Sequence, residues 1–537
     1  MTLNELILTL ILLTPLVGAV VLALIPQRGD LHKWGALIVT LITFVMTLHL
    51  PTHFHDALPA FEPILGHPGV QQFHFELSRI WIPAPLIRYH VGVDGLSMWL
   101  VVLSGFLAPL GVLASWNTIK HRCKLFYCLF LVLQVALFGV FISLDLFLFY
   151  AFFEAVLVPT TLLIAIYGRT GNRQKAALKY FVYNFIPSAV LLIGVVWLYT
   201  KTGTFQLPIL QAMASQHVIH ASTAGLWLAS LTFLLAFAVK VPVFPLHGWL
   251  SDAVTEAPTA VVMVLAGKVG LYSILRFSFG IFPDESHRIA PLMIAFAAIG
   301  IVYGACVALV QSDLKRLASF STLGHLSFIT LGIFTFTVNG LDGGMYQILN
   351  HGISGGALFL LMGFLYERYG TYDMRELGGI AGQMPWMVTL FVITALSNVG
   401  LPMLNSFVGE FLILSGTAST TLSAHPWLWT TVATTGVIFA AAYLLTMIQR
   451  TFYADLGAAP AEITGWDLSA REHLVLWPMV ALFFFMGVSS PSFMRSLDPI
   501  GARYAGFHST AQPGTITHVE TETYSAGTAA VRTGDAQ

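Results

Sequence analysis

Glu154, Lys240, Lys268 and Glu410 lie inside stretches that otherwise read as membrane-spanning. A charge at the bilayer centre costs about 2.5–3.5 kcal/mol even on lenient insertion scales. Ionisable groups kept at that cost are the raw material of a proton relay, because each can take and release a proton where water is scarce. In YAFFEAVLVP, Glu154 has no basic neighbour in its own span, so it reads either as a helix-capping carboxylate or as a titrating one. The intramembrane position favours the second, with Lys240 as its partner. Lys268 stands between Gly267 and Gly270, near mid-span, where snorkelling to the surface is awkward. Arg276 is two turns further on, and a stem reaching to the headgroups accounts for it.

Three histidines join the candidates because imidazole exchanges protons near neutral pH. His325 follows Ser319, Ser321 and Thr322, and His351 follows Gln347 and Asn350, so both sit in polar stripes. His247 is near a span end and is the weakest of the three; a histidine bonding across helices is the competing reading for each. Asp252 and Glu256 read as surface or N-cap groups.

The elements that must hold these residues are helices in a bilayer. The chain has 537 residues, 56% hydrophobic and 9% charged, with mean hydropathy +0.79. This is an all-α polytopic membrane protein. Apolar runs give about 14 transmembrane helices, near 3–26, 35–50, 94–116, 124–144, 146–167, 177–200, 224–246, 257–280, 289–311, 317–338, 343–366, 386–416, 426–449 and 472–493. The net charge of −1 offers no basic field for nucleic acid. Three cysteines without a Cys/His cluster, and the lack of a dinucleotide or phosphate-binding glycine motif, give no cofactor or metal site in this chain. The apolar N-terminal run follows Asn4 and Glu5 rather than Lys or Arg, and reads as a retained helix.

Lys and Arg are distributed unevenly. Loops after odd-numbered spans hold fifteen, and loops after even-numbered spans hold four. The positive-inside rule then puts both termini on the non-cytoplasmic side of an inner (cytoplasmic) membrane.

A repeat is also visible. Tyr180, Asn184, Ser188 and Leu192 recur as Tyr346, Asn350, Ser354 and Leu358, at a constant offset of 166 residues. The copies are five spans apart, and an odd number of helices inverts the second unit. The division is residues 1–123 (helices 1–3 with an ordered external loop over 51–92), 124–280 (first five-helix repeat), 289–453 (inverted second repeat), 454–503 (helix 14) and 504–537 (a tail expected to be disordered). Broken helices occupy corresponding places. Span 7 carries Lys240-Val-Pro242-Val-Phe-Pro245, which should free the carbonyls of Ala238 and Val241. Span 12 carries Pro402 among Ser397, Asn398, Asn405 and Ser406, ahead of Glu410.

The run from Lys240 through His247, Asp252 and Glu256 to Thr259 resembles the antiporter-like membrane subunits of respiratory complex I, the proton-translocating NADH:quinone oxidoreductase. So do Val91-Gly-Val-Asp94-Gly-Leu-Ser, Ser312-Asp-Leu-Lys-Arg-Leu-Ala-Ser319 and Asn350-His351-Gly. A carboxylate at Glu410, where sister subunits usually place lysine, is similar to subunit M. The resemblance implies proton transfer by Glu154, Lys240, Lys268 and Glu410, with His247, His325 and His351 on the path. It implies L-type and N-type neighbours in the membrane, and redox cofactors and quinone in other subunits. A Na⁺/H⁺ antiporter subunit, the membrane arm of a hydrogenase-type complex, and a scaffold whose charges merely pack are the competing readings.

Overall fold

In hydrocarbon a chain must satisfy its own backbone N–H and C=O groups, so the apolar runs become helices. The computed structural model describes residues 3–26, 29–54, 73–265, 268–454 and 467–506. Among them, thirteen helices are long and apolar enough to cross a membrane. Span 12 is not one of these, because it is split into Pro385–Val399 and Asn405–Ser419, as its proline and polar flanks foretold.

Burial is graded across the bundle. The first two helices leave Val17, Val20, Leu24 and Val45 exposed, as a lipid- or partner-facing edge would. Thr259–Ile281, Leu314–Phe334 and Val338–Tyr369 are almost entirely enclosed. These three central helices bear Lys268, His325 and His351.

The external loop is more regular than expected. Strands His74–Ile82 and Ile87–Val93 pair antiparallel, so the molecule is helical with one β-hairpin. The hairpin is tied to the bundle by Leu144 N–H, which donates to His90 O at 2.8 Å. The C-terminal region also differs from a single span over 472–493. Ala470–Val488 is one helix, and a separate amphipathic helix, Pro491–Gly506, lies against the hairpin end of the bundle. There Trp99 Nε1 donates to Ser496 Oγ at 2.8 Å. Residues 504–506, assigned to the disordered tail, therefore complete a helix; the rest of that tail lies outside the described residues.

Local geometry recurs in the two long helices of the repeated motif. Ser188 Oγ donates to Asn184 O at 3.0 Å, and Ser354 Oγ to Asn350 O at 3.0 Å. Arg173–Thr202 ends at Gly203 (φ 70°), and Val338–Tyr369 at Gly370 (φ 69°). Each terminal glycine donates its N–H to a tyrosine carbonyl four residues back, at 2.8 Å. A positive φ is what glycine supplies at low cost at such a helix end.

Candidate functional site: a buried row of ionisable side chains

Span 7 ends at Lys240, where Pro242 removes a donor N–H. The Ala238 carbonyl is nonetheless not left free. Val243 N–H donates to it at 2.9 Å, and the Trp249 indole donates to Val239 O at 2.9 Å. The break is thus closed by its own loop, which turns into the short helix Leu250–Glu256. Lys240 is 7% exposed, with its ammonium 4.8 Å from the Phe153 ring centre.

Glu154 follows Phe153 on span 5, two residues before an interruption at Val156. It interacts electrostatically with Lys240 and lies beside Ser188 of the long Arg173–Thr202 helix. No ion pair within 4.0 Å joins Glu154 and Lys240, and Glu154 Oε1 is buried without a hydrogen-bond partner. The expected partners are therefore neighbours with a gap between them.

Lys240 faces a cavity of about 50 Å³ whose wall also includes Thr160, Tyr180, Trp249, Ala257 and Thr322. About 10–15 Å³ is enough to admit a water molecule.

Lys268 is buried and donates to Met263 O at 3.1 Å. Its stem packs on the backbone of Gly352; a Cβ built there would stand 2.7 Å from Lys268 Cε. His351, the residue before that glycine, interacts electrostatically with both Lys268 and His325. The two imidazole centres are 5.6 Å apart. His325 Nδ1 is 3.9 Å from Glu410 Oε1. Lys268, His351, His325 and Glu410 thus form a row across four helices.

The break in span 12 positions the end of this row. Gly400 (φ 81°) brings bare backbone against the Glu410 carboxylate. Asn398 Nδ2 donates to Ser354 O at 3.2 Å, and Asn350 Nδ2 to Asn405 O at 2.9 Å, which stitch the break to the central helix. Gln347 Nε2 lies 3.4 Å from Glu410 Oε1 as a donor. A second cavity, of about 30 Å³, is lined by His325, Glu410 and Tyr443.

The structure does not bring His247 into this row. It is half-buried in the span 7 loop, with its ring 5.0 Å from Tyr303.

Two assignments change. Arg276 does not reach for the headgroups: it is 2% exposed, its Nη2 lies 2.6 Å from Asp94 Oδ1, and its Nε donates to Tyr272 Oη at 3.2 Å. The contact is made where the helix takes a π-turn over Ile274–Ser278. Glu256 is buried rather than on the surface. Thr170 donates to its carboxylate from both backbone N–H (2.8 Å) and hydroxyl. Asp252 is the surface group of the two, paired with Lys179 at 2.7 Å.

Residues 143–439 match the family described as NADH:quinone oxidoreductase/Mrp antiporter, TM, and residues 72–140 match NADH-ubiquinone oxidoreductase chain 4, amino terminus. The chain belongs to the NADH:quinone oxidoreductase/Mrp antiporter family. Within that family it is 37% identical to NADH-quinone oxidoreductase subunit M of Rhodobacter capsulatus, over 91% of this chain and 94% of the relative. It is 34% identical to NADH-ubiquinone oxidoreductase chain 4 of Chondrus crispus, over 92% and 96%. Among solved structures, a chain of respiratory complex I from Thermus thermophilus with bound NADH superposes with a TM-score of 0.81. That match is 30% identical and covers 93% of this chain and 99% of the other. A chain of the Mrp complex from Dietzia sp. DQ12-45-1b shares the fold, at a TM-score of 0.78 and 21% identity, covering 95% and 98%.

Proposed function

We propose that this chain is the M-type, proton-translocating, antiporter-like subunit of NADH:quinone oxidoreductase, moving protons through buried Glu, Lys and His residues. The row from Lys268 through His351 and His325 to Glu410 carries this reading, because its four side chains adjoin one after another across the bundle and three of them stand on the three most buried helices. Energy comes from quinone reduction in other subunits, and no cofactor is held by this chain. Glu154 and Lys240 take up and relay protons in the first five-helix unit. Lys268 joins the units, and Glu410 ends the relay in the second. The two recurring helix ends and the matched Asn–Ser pairs support an inverted repeat with fourteen spans, span 12 being the broken one. His247, outside the row, serves the span 7 loop at the proton entrance.

The partners are L-type and N-type neighbours in the inner (cytoplasmic) membrane, with both termini on the non-cytoplasmic side. An Mrp-like antiporter shares the fold, but the higher identity to M-type relatives and the carboxylate at Glu410 favour the redox-driven complex.

The test is proton uptake into vesicles carrying the purified complex, driven by NADH and quinone. Lys268→Ala should assemble and lose about tenfold or more of its pumping. Parent-like pumping by the assembled variant would contradict the relay. Recovery of the chain with exchanger subunits alone, and no quinone reductase activity, would favour the antiporter reading.

A further inference from the structure

A further buried cation, besides Lys240 and Arg276, stands outside the row. Lys315, the second residue of Leu314–Phe334, is 2% exposed. Its ammonium donates to Thr255 O at 3.1 Å and to Ala257 O, the carbonyl end of the Leu250–Glu256 helix. Among the described residues no carboxylate oxygen lies within 4.0 Å of it. The charged groups around it are Arg169 and Asp313, which pair with each other at 3.0 Å and are about a quarter exposed, and the occupied Glu256. The Tyr372 ring lies beside both cations, 4.9 Å from the Arg169 guanidinium and 5.7 Å from Lys315 Nζ.

Lys315 is linked to the first cavity through a residue that lines it. Ala257, whose carbonyl it binds, forms part of the wall that Lys240 also lines. Ser319 and Thr322 follow Lys315 at four and seven residues, which places the three on one helix face. Ser319 and Thr322 are buried, and Thr322 reaches the cavity. Each hydroxyl gives its proton to a carbonyl of its own helix, so its oxygen remains open as an acceptor.

We propose that Lys315 is a proton-uptake residue that feeds Lys240 from the Arg169–Asp313 surface. The proposal rests on the proton-translocating reading above. In the step, an N–H bond of the Lys315 ammonium breaks and one forms on the neutral Lys240 amine, through water in the intervening cavity. The Lys315 amine then takes a proton from the aqueous side. One proton moves inward and no electrons move. Only backbone carbonyls hydrogen-bond the ammonium, and the carboxylates nearest to it, Asp313 and Glu256, keep their own donors in Arg169 and Thr170 when it loses its proton. A fixed counter-ion would make the same release leave an unpaired charge behind.

The experiment compares Lys315→Arg and Lys315→Met in the assembled complex in vesicles. Arginine keeps the charge and the donors to the two carbonyls but does not give up a proton. Both variants should lose about tenfold of pumping. Arg pumping like the parent while Met does not would make Lys315 a helix cap and overturn the proposal, as would parent-like pumping by both. Should neither assemble, Thr322→Val decides, since it leaves the cap untouched and removes the cavity hydroxyl. A severalfold loss supports uptake along this face, and parent-like pumping overturns it. Lys240→Ala in the same vesicles separates the two levels. If Lys240→Ala pumps normally, the proton reading itself fails; if it is silent while Lys315→Arg is normal, only the uptake role fails.

Discussion

Lys268 and Glu410 belong to different helices, and the two imidazoles of His351 and His325 occupy the space between them. An imidazole accepts a proton on one nitrogen and releases it from the other, so a pair of them can pass charge without either residue travelling. His351→Phe keeps a ring of similar bulk and removes the exchange. We expect assembly to hold and pumping to fall about tenfold; vesicle proton flux at parent levels would take His351 off the path. A different residue-scale effect belongs to Arg276. Removing one partner of a buried pair leaves an uncompensated charge and costs about 3–5 kcal/mol. Arg276→Met should therefore lower the thermal stability of the complex, measured as loss of intact assembly on heating. Arg276→Met with Asp94→Leu should restore part of it, and equal losses in the single and double variants would contradict the pairing.

At the scale of elements, the broken span 12 makes Glu410 accessible to its neighbours. Gly400 has a φ of 81°, and a Cβ there would overlap the Glu410 carboxylate. Gly400→Ala carries about 1–2 kcal/mol of left-handed backbone strain as well as that clash. Pumping should fall more than the yield of assembled complex, and an unchanged rate would mean that the carboxylate position is not set by this break. The C-terminal helix offers a pH test. Asp498 on Pro491–Gly506 has its carboxyl pushed above the usual range by burial, and it faces Asp342 of the long central helix. A raised carboxyl binds its proton more tightly when folded. Docking is therefore strongest below the ordinary value of 3.8 and weakens as pH rises through the folded value. Asp498→Asn should slow proteolysis of this helix at neutral pH, with the advantage shrinking as pH falls toward 4. No difference at any pH would contradict that account.

For the whole molecule, the proposed orientation rests on the Lys/Arg bias. Reporter fusions at the C-terminal tail and beside Arg173 should label opposite sides of the membrane; labelling of the same side would overturn the fourteen-span arrangement. Most of the bundle was legible because apolar runs of span length have few alternatives in hydrocarbon. The candidate charges were legible for the same reason: Glu154, Lys240, Lys268 and Glu410 are conspicuous in apolar surroundings. Arg276 was misplaced because its partner Asp94 is remote in sequence, at the start of another span. Lys315 was counted among the loop and span-edge charges because only the fold brings the carbonyls of Thr255 and Ala257 over it. The hairpin was hidden in a loop because its two strands pair chiefly with each other, beyond a bridge from Val91 to Ser143.

The central claim is that protons cross through the buried row, and Glu410→Gln addresses it most directly. Glutamine keeps the size and shape of the side chain and abolishes its titration. Proton flux is measured in reconstituted vesicles during quinone reduction and normalised to assembled complex, with Glu410→Lys beside it. The account predicts that Gln loses about tenfold or more of the flux, and that Lys, which still titrates, keeps part of it. Parent-like flux from the glutamine variant would contradict it and leave Glu410 a structural carboxylate.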